Sequence, residues 1–202
     1  MIKDVAVYDV EVLRGPDEIA KGWGDPQGMG FGTAVVYLER EDLYRFYGPG
    51  DLNALKMDLE DRYLVGFNSV HFDNKVIYGN RYRRKPLRER KGRECDLFLR
   101  AVCSKFGVDT LQAALKKFGP KKVFNNSCGL DAIAKATIGK GKTGTGEHAP
   151  KLIKRGQWAD VFAYNLNDVR RTYQLYCFAR ENGFLIDGSG FRIPISVPSE
   201  ES

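Results

Sequence analysis

The segment from Ile2 to Glu11 alternates so that Val5, Val7, Asp9 and Glu11 share one face of a strand. The first two residues suit burial, and the next two do not. A sheet that covers Val5 and Val7 must therefore accommodate two carboxylates on the same face. Their Cα atoms lie about 6.6–6.8 Å apart, at a rise of roughly 3.3–3.4 Å per residue. Carboxylates sharing a partly buried site repel, so one takes up a proton unless a cation compensates. An oxygen-seeking divalent ion, Mg²⁺ or Mn²⁺, is the natural compensator. The competing reading is that the strand emerges into water there and both acids are solvated. In a chain with 26 acidic residues a lone D-x-E does not decide between them.

Gly15-Pro16 ends this strand, and the Gly-rich stretch from Gly22 to Gly32 carries the chain round. Further strands are predicted at 32–38 and 42–47. A helix follows from an Asp51 N-cap to about residue 61, then a short apolar strand over 63–67. A helix is expected to start at Asp73. Beyond residue 94 the pattern is mostly helical, at roughly 95–106, 109–118, 129–138 and 157–182, with a last strand near 191–195. No internal repeat or linker is visible. At 202 residues the expectation is one mixed-sheet α/β domain over residues 1–202.

The net charge of +6 is concentrated. Residues 81–93, RYRRKPLRERKGR, hold eight basic residues and one acidic residue, while the rest of the chain is close to neutral. Such a cluster, with Arg81, Arg83, Arg84, Lys85, Arg88 and Arg90 around Tyr82 and Pro86, reads as an inserted loop that attracts phosphate backbones. A solvated, solubilising loop is the bland alternative. No apolar run exceeds five residues, against about 20 for a membrane span, and no membrane association is expected. Met1-Ile2-Lys3-Asp4 puts a carboxylate where a signal peptide needs its apolar core, so an intracellular (cytoplasmic) protein is expected. Cys95, Cys103, Cys128 and Cys177 show no zinc-type spacing and are expected as reduced thiols.

Two later segments carry chemistry. In V-G-F-N-S-V-H-F-D, a buried strand ends near Asn68 and Asp73 opens a helix. Asn68 reads equally as a turn residue and Asp73 as a plain N-cap. On the long helix, Phe162, Leu166, Val169, Tyr173 and Tyr176 form the expected core stripe, and Val161, Tyr164, Asp168 and Leu175 a second one. Asp168 lies one turn beyond Tyr164 among apolar neighbours. The acid suits a cation and the phenol suits orienting a water, unless the two are a surface pair.

Taken together, Asp9-x-Glu11 after an apolar strand, Asn68-x4-Asp73 after V-G-F, and Tyr164-x3-Asp168 resemble the three motifs of the DEDD (DnaQ-like) 3′–5′ exonucleases. The tyrosine four residues before the last Asp resembles the DEDDy branch, which includes proofreading domains of family A and B DNA polymerases. Gly22-Trp23-Gly24 running into Met29-Gly30-Phe31, Cys95-Asp96-Leu97 and Gly129-Leu130-Asp131-Ala132-Ile133-Ala134 are similar to stand-alone, polymerase-B-like predicted exonucleases. The resemblance covers about residues 5–180. It implies a ribonuclease H-like α/β fold, a mixed five-stranded sheet flanked by helices, and a two-metal phosphodiesterase holding two Mg²⁺ or Mn²⁺ ions. By position, Asp9, Glu11, Asp73 and Asp168 would be the metal-binding carboxylates, with Asp9 shared between the ions. Tyr164 would orient the attacking water, and Asn68 and Phe72 would lie near the terminal nucleotide. The implied substrate is the 3′ end of a single strand, DNA ranked ahead of RNA, with a polymerase or a replication or repair protein as a possible partner. A non-catalytic nucleic-acid-binding module of the same fold is the alternative from another class.

Val12 stands where the family often carries Thr, and His71 has no family role. Gly141-Lys142-Thr143 is not a phosphate loop, because Ala136 occupies the place of its first glycine. His148 is too far from Asp168 to act as the histidine base of a sister branch. Gly139–Gly146 reads as a flexible loop.

Overall fold

The computed structural model describes residues 4–79, 82, 94–124, 126–141 and 149–197. The basic residues of the 81–93 segment, most of the Gly139–Gly146 loop and His148 lie outside them. Five strands form the main sheet: β1 (Val5–Val12), β2 (Phe31–Leu38), β3 (Leu43–Tyr47), β4 (Tyr63–Gly66) and β5 (Glu94–Asp96), in the order β3-β2-β1-β4-β5. Both β1–β2 and β2–β3 are antiparallel, whereas β1–β4 and β4–β5 are parallel. The protein is thus α/β with a mixed sheet, as expected. A separate hairpin pairs β6 (Phe184–Ile186) with β7 (Arg192–Pro194).

Because β1 is central, both its faces are covered. Val5 and Val7 pack with Val35 and Val65 into one core, against α4 (Leu97–Phe106), α7 (Leu130–Ile138) and the 25-residue α9 (Trp158–Asn182). Ala6, Tyr8, Val10 and Val12 face the other way. They pack with Leu55 and Leu59 of α2 (Leu52–Leu59), with Val76 and Ile77 of α3 (Asp73–Tyr78), and with Met29 at the end of α1 (Pro26–Met29). The remaining helices are α5 (Leu111–Phe118), α6 (Pro120–Val123) and α8 (Ala149–Lys154). No described helix is long and apolar enough to cross a membrane. All four cysteines are free thiols.

Three local expectations are corrected. Asp51 occupies the N-cap position of α2 without capping it; its carboxylate accepts instead from the Gly48 amide at 2.8 Å, closing the preceding turn. The helix expected from residue 95 begins at Leu97, because residues 94–96 extend the sheet as β5. On α9 the deepest stripe is Val161, Asn165, Asp168, Val169, Thr172, Leu175, Tyr176 and Ala179. Phe162, Leu166 and Tyr173 only flank the core. The spacing is helical as read, but the buried face is turned toward residues whose polarity hides them from a hydropathy pattern.

The parallel pairing of β1 with β4 runs from Val5↔Tyr63 to Val7↔Val65 and stops there. Beyond it the chain leaves β4 into a turn toward α3, while β1 continues through Val12 with a bulge between Glu11 and Val12. The two strands diverge at their carboxyl ends, beside the point where sheet direction switches. Open α/β sheets bind ligands in such crevices.

Candidate metal centre

Asp9 and Glu11 project from β1 on the face of Val5 and Val7, past the end of the apolar core. Facing them is α9, with Tyr164, Asn165 and Asp168. One carboxylate oxygen from each of Asp9, Glu11 and Asp168 lies within 4.8 Å of the others. Asp168 is buried, and the two strand acids are half-buried. Asp9 and Glu11 thus sit half-buried in an acidic cluster, and Tyr164 and Asp168 face the same cleft.

Asp73 comes from the opposite wall. It is the first residue of α3 and not its N-cap, which is Phe72. Its carboxylate accepts at 2.8 Å from the amide of Val10, a β1 group beyond the last β1–β4 pair. The Tyr8 hydroxyl donates to Asn74 Oδ1 at 2.7 Å, and Asn74 Nδ2 donates to Glu94, so α3 is bound to β1 and β5 just where it presents Asp73. The four expected ligands therefore split. Three carboxylates stand within reach of one ion, and Asp73 borders the same cleft outside that group of three.

The turn before Asp73 is held by a residue to which the sequence assigned no role. Asp96 is buried at the end of β5 and accepts from the amides of Asn68 (2.9 Å), Val70 (3.0 Å) and Leu99 (3.1 Å). It thus caps α4 and fixes the Asn68 turn, in which Asn68 adopts a left-handed φ of 62°. Gly66 is required here, since a Cβ would come within 2.5 Å of the Ser69 side chain. Asp96→Ala strands three amide donors. It is expected to lower stability by about 2–5 kcal/mol, below the sum of roughly 1–3 kcal/mol for each of three buried groups, because all three bonds are part-buried and water replaces part of the loss. At about 2–4 °C per kcal/mol for this size, thermal melting should fall by roughly 5–15 °C. An unchanged melting temperature would remove Asp96 from this role.

A cleft of about 250 Å³ joins these parts. Its acidic floor is Asp9, Glu11, Asp73, Tyr164 and Asp168; Asn68, Phe72, Pro16 and the buried Pro150 also line it, with the exposed Trp23 at its rim. All five expected catalytic positions, together with Asn68 and Phe72, thus meet in one place. The six basic side chains read as nucleic-acid contacts lie outside the described residues.

Crowding raises the proton affinity of this floor. Burial, then the charges of Asp73, Asp168 and Glu11, holds Asp9 well above the usual carboxylate range, with Arg171 opposing. Burial and the charges of Asp168 and Asp73 push Glu11 up to about 8. Asp73 rises to about 7, chiefly by burial, although its amide partners oppose the shift. Tyr164 is also pushed up, by burial and by Asp168, Glu11 and Asp9. Acids this close, with hard oxygen donors converging, fit a divalent cation of the Mg²⁺ or Mn²⁺ type.

Two positioning groups on α9 have no role in the three sequence motifs. Asn165 is fully buried and donates from Nδ2 to Asp9 Oδ2 at 3.2 Å. Arg171, also buried, bridges Asp168 and Asp131 of α7 through separate nitrogens. It holds Oδ1 of Asp168 and so fixes the carboxylate's orientation. Helical spacing from Asp168 is the signal that could have found both residues. Compared with known proteins, the chain matches no protein-family model and no curated protein sequence.

Proposed function

We propose that the protein is a divalent-metal-dependent 3′–5′ exonuclease acting on single-stranded ends, DNA ahead of RNA. The observation that carries this reading is the meeting of three distant segments in one cleft: Asp9 and Glu11, Asp73, and Tyr164 with Asp168. The strand order, with β2 running against its four companions, is compatible with a ribonuclease H-like fold.

In this reading Asp9, Glu11 and Asp168 would hold one ion, and Asp73 would contribute with Asp9 to a second. When bound there, divalent ions would supply a nucleophile near neutral pH and charge stabilisation for the attacking and leaving oxygens. The chain's own residues do the rest. Asn165 and Arg171 keep Asp9 and Asp168 aimed inward. Tyr164 keeps its proton throughout the neutral range, because burial and four carboxylates disfavour phenolate. It therefore orients a water by hydrogen bonding and does not serve as a base. Asn68 and Phe72 border the space that a terminal nucleotide would fill.

The test is incubation of 5′-labelled DNA and RNA oligonucleotides with Mg²⁺ or Mn²⁺. A ladder shortening from the 3′ end, abolished by chelation, supports the enzyme, and the preferred polymer identifies the substrate. Binding without a ladder sustains the non-catalytic alternative. The basic segment gives a separate prediction. Neutralising Arg83, Arg84, Arg88 and Arg90 should weaken oligonucleotide binding and flatten its dependence on salt, because fewer counterions are released. An unchanged salt slope would assign the segment to something else.

A further inference from the structure

The described residues include seven exposed large hydrophobic side chains, and only Trp23 among them lines the acid cleft. Its indole is 62% exposed. Isolated surface hydrophobics need no explanation, but an exposed tryptophan on the rim of a charged cleft does. One side of it rests against Phe72, with ring centroids 5.8 Å apart and the planes tilted by 55°.

The backbone presents this ring rigidly. Gly22, Trp23 and Gly24 form a single tight turn, closed by bonds from the Gly24 amide to Lys21 (2.9 Å) and from the Asp25 amide to Gly22 (3.1 Å). Gly22 sits at φ 50°, which favours glycine. Asp25 then caps α1 through the Gly28 amide at 2.9 Å. The turn fixes the backbone that carries the indole and Phe72 backs one side of it, which lowers the ordering cost on binding.

We infer that Trp23 is a stacking platform for the last nucleobase of the strand. The inference rests on the exonuclease reading and deepens it. A group that enters this cleft with a phosphate at the carboxylate floor and a flat aromatic ring at the rim is a nucleotide. Every base has a π-face, so the contact tolerates any sequence.

The experiment uses Trp158→Phe protein, which leaves Trp23 as the sole tryptophan of the two in the chain. Indole fluorescence is followed in Mg²⁺ during titration with dAMP and, separately, with 2-deoxyribose 5-phosphate. Quenching by dAMP and not by the sugar phosphate is expected. In steady-state kinetics on a single-stranded oligonucleotide, Trp23→Ala should raise KM about ten- to a hundredfold, the range that base–aromatic stacking gives, with a smaller change in kcat. Trp23→Phe should recover most of that loss. A substrate ending in an abasic residue should erase the difference between native protein and Trp23→Ala, as a double-mutant cycle requires for a direct contact. Equal response to both ligands, or a native KM in Trp23→Ala, overturns the inference. Quenching by dAMP in a protein that yields no ladder keeps the nucleobase platform and removes the exonuclease reading.

Discussion

Asp9→Asn is expected to lower the proposed exonuclease activity at least about a thousandfold at saturating Mg²⁺. Metal ions contribute several kcal/mol of charge stabilisation in such reactions, and each 1.36 kcal/mol is tenfold in rate. Asp9 is the residue whose loss touches most of the site: it belongs to the three-carboxylate group and takes a hydrogen bond from Asn165. The same substitution removes a half-buried acid whose ionisation burial and the charges of Asp73, Asp168 and Glu11 oppose. Metal-free Asp9→Asn should therefore melt at or above the native temperature near pH 8. An inactive variant that is also less stable would point to simple misfolding, and activity within tenfold of native would remove Asp9 from the chemistry. Kinetics together with melting curves in chelator separate these outcomes.

The second large effect is an inverted pH dependence of stability. Unfolded carboxyl groups titrate near pH 4. In the folded protein Glu11 titrates at about 8 and Asp73 at about 7, and Asp9 is also raised, in each case with burial as the leading cause. Between pH 4 and 8 the native state thus holds protons that the unfolded chain has released. Its stability must fall as pH rises through that window. A carboxylate with a lowered native pKa would do the opposite. Metal-free protein should therefore melt at a lower temperature at pH 8 than at pH 6. Metal reverses the trend by replacing the protons: at about 100 times its dissociation constant a ligand adds roughly 2.7 kcal/mol, about 5–11 °C for a chain of this size. Affinity for Mg²⁺ or Mn²⁺ should rise over the same interval. Melting temperatures in chelator that climb from pH 6 to 8 would contradict the crowded-carboxylate account.

The acid floor was legible in the sequence because β1 is a central strand. Alternation placed Asp9 and Glu11 on the face of Val5 and Val7, and the sheet kept that register up to the bulge after Glu11. Asp73 and Asp168 were legible through spacing to a strand end and to a helical turn. What supports them was not. β5 and β6 are three residues long, too short to show a period. Asn165 and Thr172 are polar yet lie on the buried face of α9, and Arg171 is buried because it pairs with two acids. Hydropathy reads such residues as solvent-facing. Asp96 organises its turn through backbone amides, which leave no trace in side-chain pattern.

The most direct measurement of the central claim is anomalous diffraction from crystals soaked in Mn²⁺. The account predicts two peaks in the cleft, one touching Asp9, Glu11 and Asp168 and the other between Asp9 and Asp73. A cleft free of anomalous density at saturating Mn²⁺, or ions held elsewhere on the protein, would contradict it.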